Sequence, residues 1–221
     1  MDGMNLLITN ADGSLEKHIQ LIQSAFHRAV DVATNVLKLD KVDIVCLNDK
    51  NAVIPEIGIG GYTPSRHLVY LYIDPLFNIE EDEIFYTLCH EFNHARRYDG
   101  PGFGKTLFDS MIFEGLATAF EDEISDHKAF LPTFLRNRED TIALLAKSEP
   151  SFQSTDFIYH NWFISDPNKV IPRWAGYEMG FYLVNKCIDS NNKKASDLVL
   201  EGSDTFLECV RDALRGDSNS S

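Results

Sequence analysis

The stretch EEDEIFYTLCHEFNHARRY constrains the fold more than any other part of the chain, because its pattern is that of one helix with two unlike faces. Ile84, Leu88, Phe92 and Ala95 recur at spacings of three and four, which lines them up as a single apolar stripe. Acidic residues fill the first turn and arginines the last, the order that a helix dipole favours. At about 100° per residue, His90 and His94 project together from the face opposite the stripe. Such a helix has to bury one side and offer two imidazoles to a cleft, so the rest of the chain must supply both a core and a cavity wall.

The flanking segments provide candidates for both. Ser14 to Leu39 has helical spacing, with Leu15, Ile19, Ile22, Phe26, Val30, Ala33 and Leu37 apolar and Ser14 as the expected N-cap. Val42 to Leu47 reads as a buried strand that ends in a turn over Asn48 to Asn51. Gly58, Gly60 and Gly61 exclude a helix, and Leu68 to Ile73 is a second strand, stopped by Asp74 and Pro75. After the glycine-rich break YDGPGFG, KTLFDSMIFEGLATAFEDE predicts a helix, with Leu107, Phe108, Met111, Ile112 and Phe120 among its apolar positions. A short helix is expected over Thr133 to Lys147, a loop through Pro172, and helices over Trp174 to Asp189 and Asp204 to Arg215, with GDSNSS (216–221) as a disordered tail. No repeat or linker interrupts the pattern. The expectation is one α+β domain over residues 1–215, with the small sheet and its helices to about residue 98 and a helical part from about residue 105.

Composition narrows the function classes. A chain of 221 residues can build its own core, and a net charge of −14 with an isoelectric point near 4.8 disfavours nucleic acid and anionic membranes as partners. No run approaches the roughly 18 apolar residues of a membrane helix, and MDGMNLLITNADG lacks the basic and apolar regions of a leader, so a cytoplasmic protein is expected. Cys46, Cys89, Cys187 and Cys209 form no CxxC pair and are expected to be reduced thiols.

The chemistry is concentrated in His90, Glu91 and His94, an HExxH motif in which two imidazoles one turn apart can reach a single ion. A catalytic zinc site needs a third protein ligand and an open position. Glu114, in EGLA with nineteen residues between it and His94, fills that need for one zinc per chain. Glu91 is then positioned as general base for a zinc-activated water. Tyr177 is the first choice as donor to the oxyanion, ahead of His160, Tyr159 and Arg173. Thr118 or Glu121, which follow Glu114 on its helix, could bond an imidazole N–H from behind. HLVYLYI is a candidate edge strand for an extended peptide or an ordinary core strand. Cys89 points away from the imidazoles and is read as a small buried apolar residue, and Arg96 and Arg97 as caps on the helix C-terminus.

GIGGYTPSRHLVYLYIDP, TLCHEFNHARRYDG with FDSMIFEGLATAFE, and WAGYEMGFYLV, in that order over roughly residues 57–185, resemble the DUF2268 group of predicted zinc-dependent proteases, which are gluzincin-like. The resemblance implies zinc at His90, His94 and Glu114, catalysis by Glu91, and a small N-terminal sheet packed on the active-site helix with a mainly helical C-terminal half. Thermolysin-like gluzincins carry an aspartate one turn after the glutamate ligand, and here that position is Thr118. The expected activity is hydrolysis of peptide bonds in a peptide or protein substrate. The alternatives are a zinc hydrolase of a non-peptide amide or ester and a catalytically silent, metal-stabilised binding protein.

Overall fold

The computed structural model describes residues 3–136 and 140–216. Its elements, in chain order, are β1 (Met4–Ile8), α1 (Ile19–Val32), β2 (Val42–Asn48), β3 (Ile59–Ser65), β4 (Leu68–Ile73), α2 (Glu81–Arg97), α3 (Leu107–Ser125), α4 (Phe130–Arg136), α5 (Thr141–Ser148), α6 (Tyr159–Phe163), α7 (Ala175–Asn191), α8 (Ala195–Leu198) and α9 (Asp204–Gly216). The fold is α+β, with a small N-terminal sheet followed by helices.

The sheet has the order β1-β2-β4-β3, parallel between β1, β2 and β4 and antiparallel between β4 and β3. Alternation decides its faces. Val42, Ile44 and Cys46 of β2 and Val69, Leu71 and Ile73 of β4 are fully buried on the core side, where α2 packs against β3 and β4. Tyr70 and Tyr72 point the other way. With Tyr62 of β3 they form a stacked ladder, with centroids 6.4 and 6.3 Å apart.

Helix α2 is more deeply enclosed than its two-faced pattern implies. Ile84, Leu88, Phe92 and Ala95 are fully buried, and so are Cys89 and Asn93 on other sides. Helix α3 starts at a reciprocal cap, Thr106 accepting from the Asp109 N–H and Asp109 from the Thr106 N–H, and is apolar almost all round. Its neighbour is α7, and there the backbones touch. A Cβ on Gly180 would collide with the Met111 carbonyl oxygen, and one on Gly115 with the backbone of Gly180.

Several expectations are corrected. The chain before α1 does not cap at Ser14, whose hydroxyl donates to Asp12. A 3-10 turn at Glu16–His18 leads into α1 instead, and a π turn at Ala33–Leu37 ends it at Lys38, φ 55°. β1 and β3 were not anticipated, since each is a strand by virtue of the neighbour it pairs with. β4, read as a candidate edge, lies inside the sheet, and β1 and β3 are its edges. Two helices, α4 and α5, replace the one expected over Thr133 to Lys147, and α6 interrupts the expected loop. Arg97 is buried and donates to the carbonyls of Val199 and Glu201 rather than capping its own helix, while Arg96 pairs with Asp99. Cys187 and Cys209 are joined in a disulfide between α7 and α9, with Cα atoms 5.8 Å apart, whereas Cys46 and Cys89 are free and buried. Of the expected tail, Gly216 closes α9, and 217–221 lie outside the described residues. Among the described residues no helix is long and apolar enough to cross a membrane.

The α3/α7 contact yields a prediction. Gly180→Ala should lower stability in urea unfolding by at least about 1–3 kcal/mol, the usual cost of overpacking; an unchanged midpoint would show that the helices are not in backbone contact.

Candidate metal centre

His90 and His94 leave α2 on the same side, with ring centroids 4.7 Å apart and planes at 85°. Glu114 enters from α3. Its Oε2 lies 3.4 Å from His90 Nε2 and 3.2 Å from His94 Nε2. Zinc bonds of about 2.0–2.1 Å in a tetrahedron put neighbouring donors about 3.3 Å apart, so this carboxylate oxygen stands at ligand spacing from both imidazoles. The donor set, two imidazoles and a carboxylate, is also one that zinc accepts.

The groups behind the donors orient them. His90 Nδ1 lies 3.1 Å from Glu121 Oε2, which favours a ring proton on Nδ1 and turns Nε2 toward Glu114. Glu114 Oε1 accepts from the Tyr159 hydroxyl at 2.6 Å. His94 stacks on Phe113, 3.9 Å between centroids and 4° between planes, and its Nδ1 is buried with no hydrogen-bond partner among the described residues. Thr118, the other candidate for bonding an imidazole, turns to its own helix and donates to the Glu114 carbonyl.

Glu91 shares α2 with the two imidazoles, and donor atoms of His90, Glu91 and His94 all lie within 4.8 Å of one another. Its Oε2 accepts from the Thr63 hydroxyl of β3 at 2.6 Å. β3 can come this close because Gly61 has no side chain; a Cβ there would run into the Glu91 carboxylate. Burial pushes the Glu91 pKa up, against the lowering effect of His94, His90 and Thr63. Burial also opposes charge on the other two groups, but the imidazoles hold Glu114 well below the usual carboxylate range. Hydrogen bonds to Glu114 and Glu121 raise His90 to about 10.

Glu91, His94 and Glu114 line one side of a cavity of about 470 Å³. Tyr159 and Tyr177 stand on another side, the Tyr177 ring 6.4 Å from that of His90. Burial, followed by the charge of Glu114, raises both phenol pKa values well above their usual range, so both remain protonated donors. The two other candidate donors are elsewhere. His160 is exposed, and Arg173 pairs with Glu56 and lies over Trp174, 3.8 Å from its ring centre. Thr63, Tyr98, Phe103, Phe113 and Ile164 also line the cavity and were not singled out from the sequence. The glycine pair before Tyr62 was the available clue, since a glycine within a strand often marks a close approach by another element.

The family model described as "Predicted Zn-dependent protease (DUF2268)" matches residues 18–208. No curated protein and no solved structure matches the chain.

A carboxylate behind the centre gives a pH prediction. Burial, then the nearby charge of Glu121, raises the Glu83 pKa to about 7. The folded state therefore binds more protons than the unfolded chain between about pH 4.5 and 7, and stability falls as pH rises through that window. Glu83→Gln should raise the Tm at pH 8.5 by roughly 3–8 °C and leave it nearly unchanged at pH 5. Equal effects at both pH values in differential scanning calorimetry would refute the shift.

Proposed function

The chain belongs to the DUF2268 family of predicted Zn-dependent proteases, and from that premise we propose that it is a zinc metallopeptidase of gluzincin type. In this reading His90, His94 and Glu114 hold one zinc ion per chain, and residues 1–215 form one gluzincin-like catalytic domain. The observation that carries it is the position of Glu114 Oε2, 3.4 and 3.2 Å from two imidazole nitrogens that come from a different helix. A zinc ion held by these residues lowers the pKa of a water toward about 7 and polarises a carbonyl.

The remaining steps belong to the chain's own groups. Glu91, oriented by Thr63, takes the proton of the attacking water and passes it to the leaving amine. Tyr177 donates to the oxyanion as charge develops there, and Tyr159 steadies Glu114 through its hydrogen bond. An extended peptide pairs with β3, the sheet edge whose Gly61, Tyr62 and Thr63 border the cavity. The net charge of −14 supports a peptide or protein substrate over nucleic acid or an anionic membrane. Cytoplasmic residence belongs to the same reading; the Cys187–Cys209 disulfide weighs against it, because disulfides rarely persist in that compartment.

Mass spectrometry of the native protein should find one zinc in wild type and in Glu91→Gln and none in His94→Ala. Cleavage of a mixed peptide library should fall about 10²–10⁴-fold in Glu91→Gln. A wild-type protein that holds no zinc after reconstitution would remove the basis of the proposal.

A further inference from the structure

The cavity continues from the reactive cluster into a pocket walled by Tyr98, Phe103, Phe113 and Ile164. Phe103 meets Phe113 edge-on, 5.1 Å between centroids at 74°, and Tyr98 meets the same ring at 5.9 Å and 69°. Phe103 also leans on Tyr159, 5.7 Å away. The rings hold one another in place, so little ordering remains to be done when a guest enters. The whole cavity, reactive cluster included, measures about 470 Å³, room for a large side chain together with the backbone on either side of it.

Electrostatics narrows the guest. Among the described residues no lysine, arginine or aspartate lines this cavity. Its two carboxylates are already engaged, Glu114 with Tyr159 and the imidazoles and Glu91 with Thr63. A charged side chain would lose its water and gain no partner, whereas an aromatic or long aliphatic one buries its surface against ring edges and faces. We infer that this pocket receives a large apolar side chain from the residue flanking the scissile bond, and that Phe103 and Ile164 set the preference. The inference rests on the peptidase reading for the nature of the guest, but its preference can be tested apart from turnover.

The experiment uses peptides that differ only in the residues beside one bond, carrying Phe, Leu, Ala, Asp or Lys there. For each, kcat/KM is measured with zinc-loaded wild type and Kd by calorimetry with Glu91→Gln. Phe and Leu should exceed Ala by roughly ten- to hundredfold in both readouts, with Asp and Lys below Ala. Phe103→Ala should reduce the Phe-to-Ala ratio several-fold. Ile164→Lys, at a site that is 45% exposed and so tolerant of the change, should improve Asp peptides relative to wild type. Cleavage with a flat or charge-seeking profile overturns the inference and leaves the peptidase reading intact. Absence of cleavage together with tighter binding of Phe peptides that Phe103→Ala abolishes supports the pocket and sinks the peptidase reading. No cleavage and no binding preference overturns both.

Discussion

Three ionisable side chains from two helices are buried together, and they are tolerable there because each satisfies another. Glu114, His90 and His94 are between 4% and 7% exposed. Any one of them buried alone would cost several kcal/mol. Helices α2 and α3 must therefore cross at the level where Glu114 Oε2 meets the imidazoles. Much of the remaining architecture serves that crossing: the sheet and α1 enclose α2 from one side, α7 supports α3 from behind, and Glu121 and Tyr159 occupy the outer hydrogen-bonding positions of His90 and Glu114.

What could be read from the sequence is what depends on spacing within one element. The imidazoles at 90 and 94, the carboxylate at 91 between them, and the apolar stripe of α2 follow from a helical period. β2 and β4 announce themselves by β-branched and aromatic residues in short runs. Glu114 was legible as a carboxylate nineteen residues beyond His94, on a helix whose apolar neighbours leave little exposed face, and the structure brings it to both imidazoles. The first and third strands were not legible, because Met4–Ile8 and Ile59–Ser65 become strands only when β2 and β4 present edges to them.

The choice between Thr118 and Glu121 shows the same limit at the scale of one side chain. Both follow Glu114 on its helix, and only the angle at which α3 meets α2 decides that Glu121 reaches His90 while Thr118 folds back on its own backbone. The pairing of Cys187 with Cys209 likewise depends on how α7 lies against α9. The aromatic wall was hidden for another reason. Tyr98 and Phe103 sit on the turns after α2, where no periodicity tells a reader which way a ring will face.

The contact at Gly115 and Gly180 fixes the distance between α3 and α7 by main-chain atoms alone. No rotamer change can bring the helices closer, so the backbone positions that carry Glu114 and Tyr177 cannot close on the space between them.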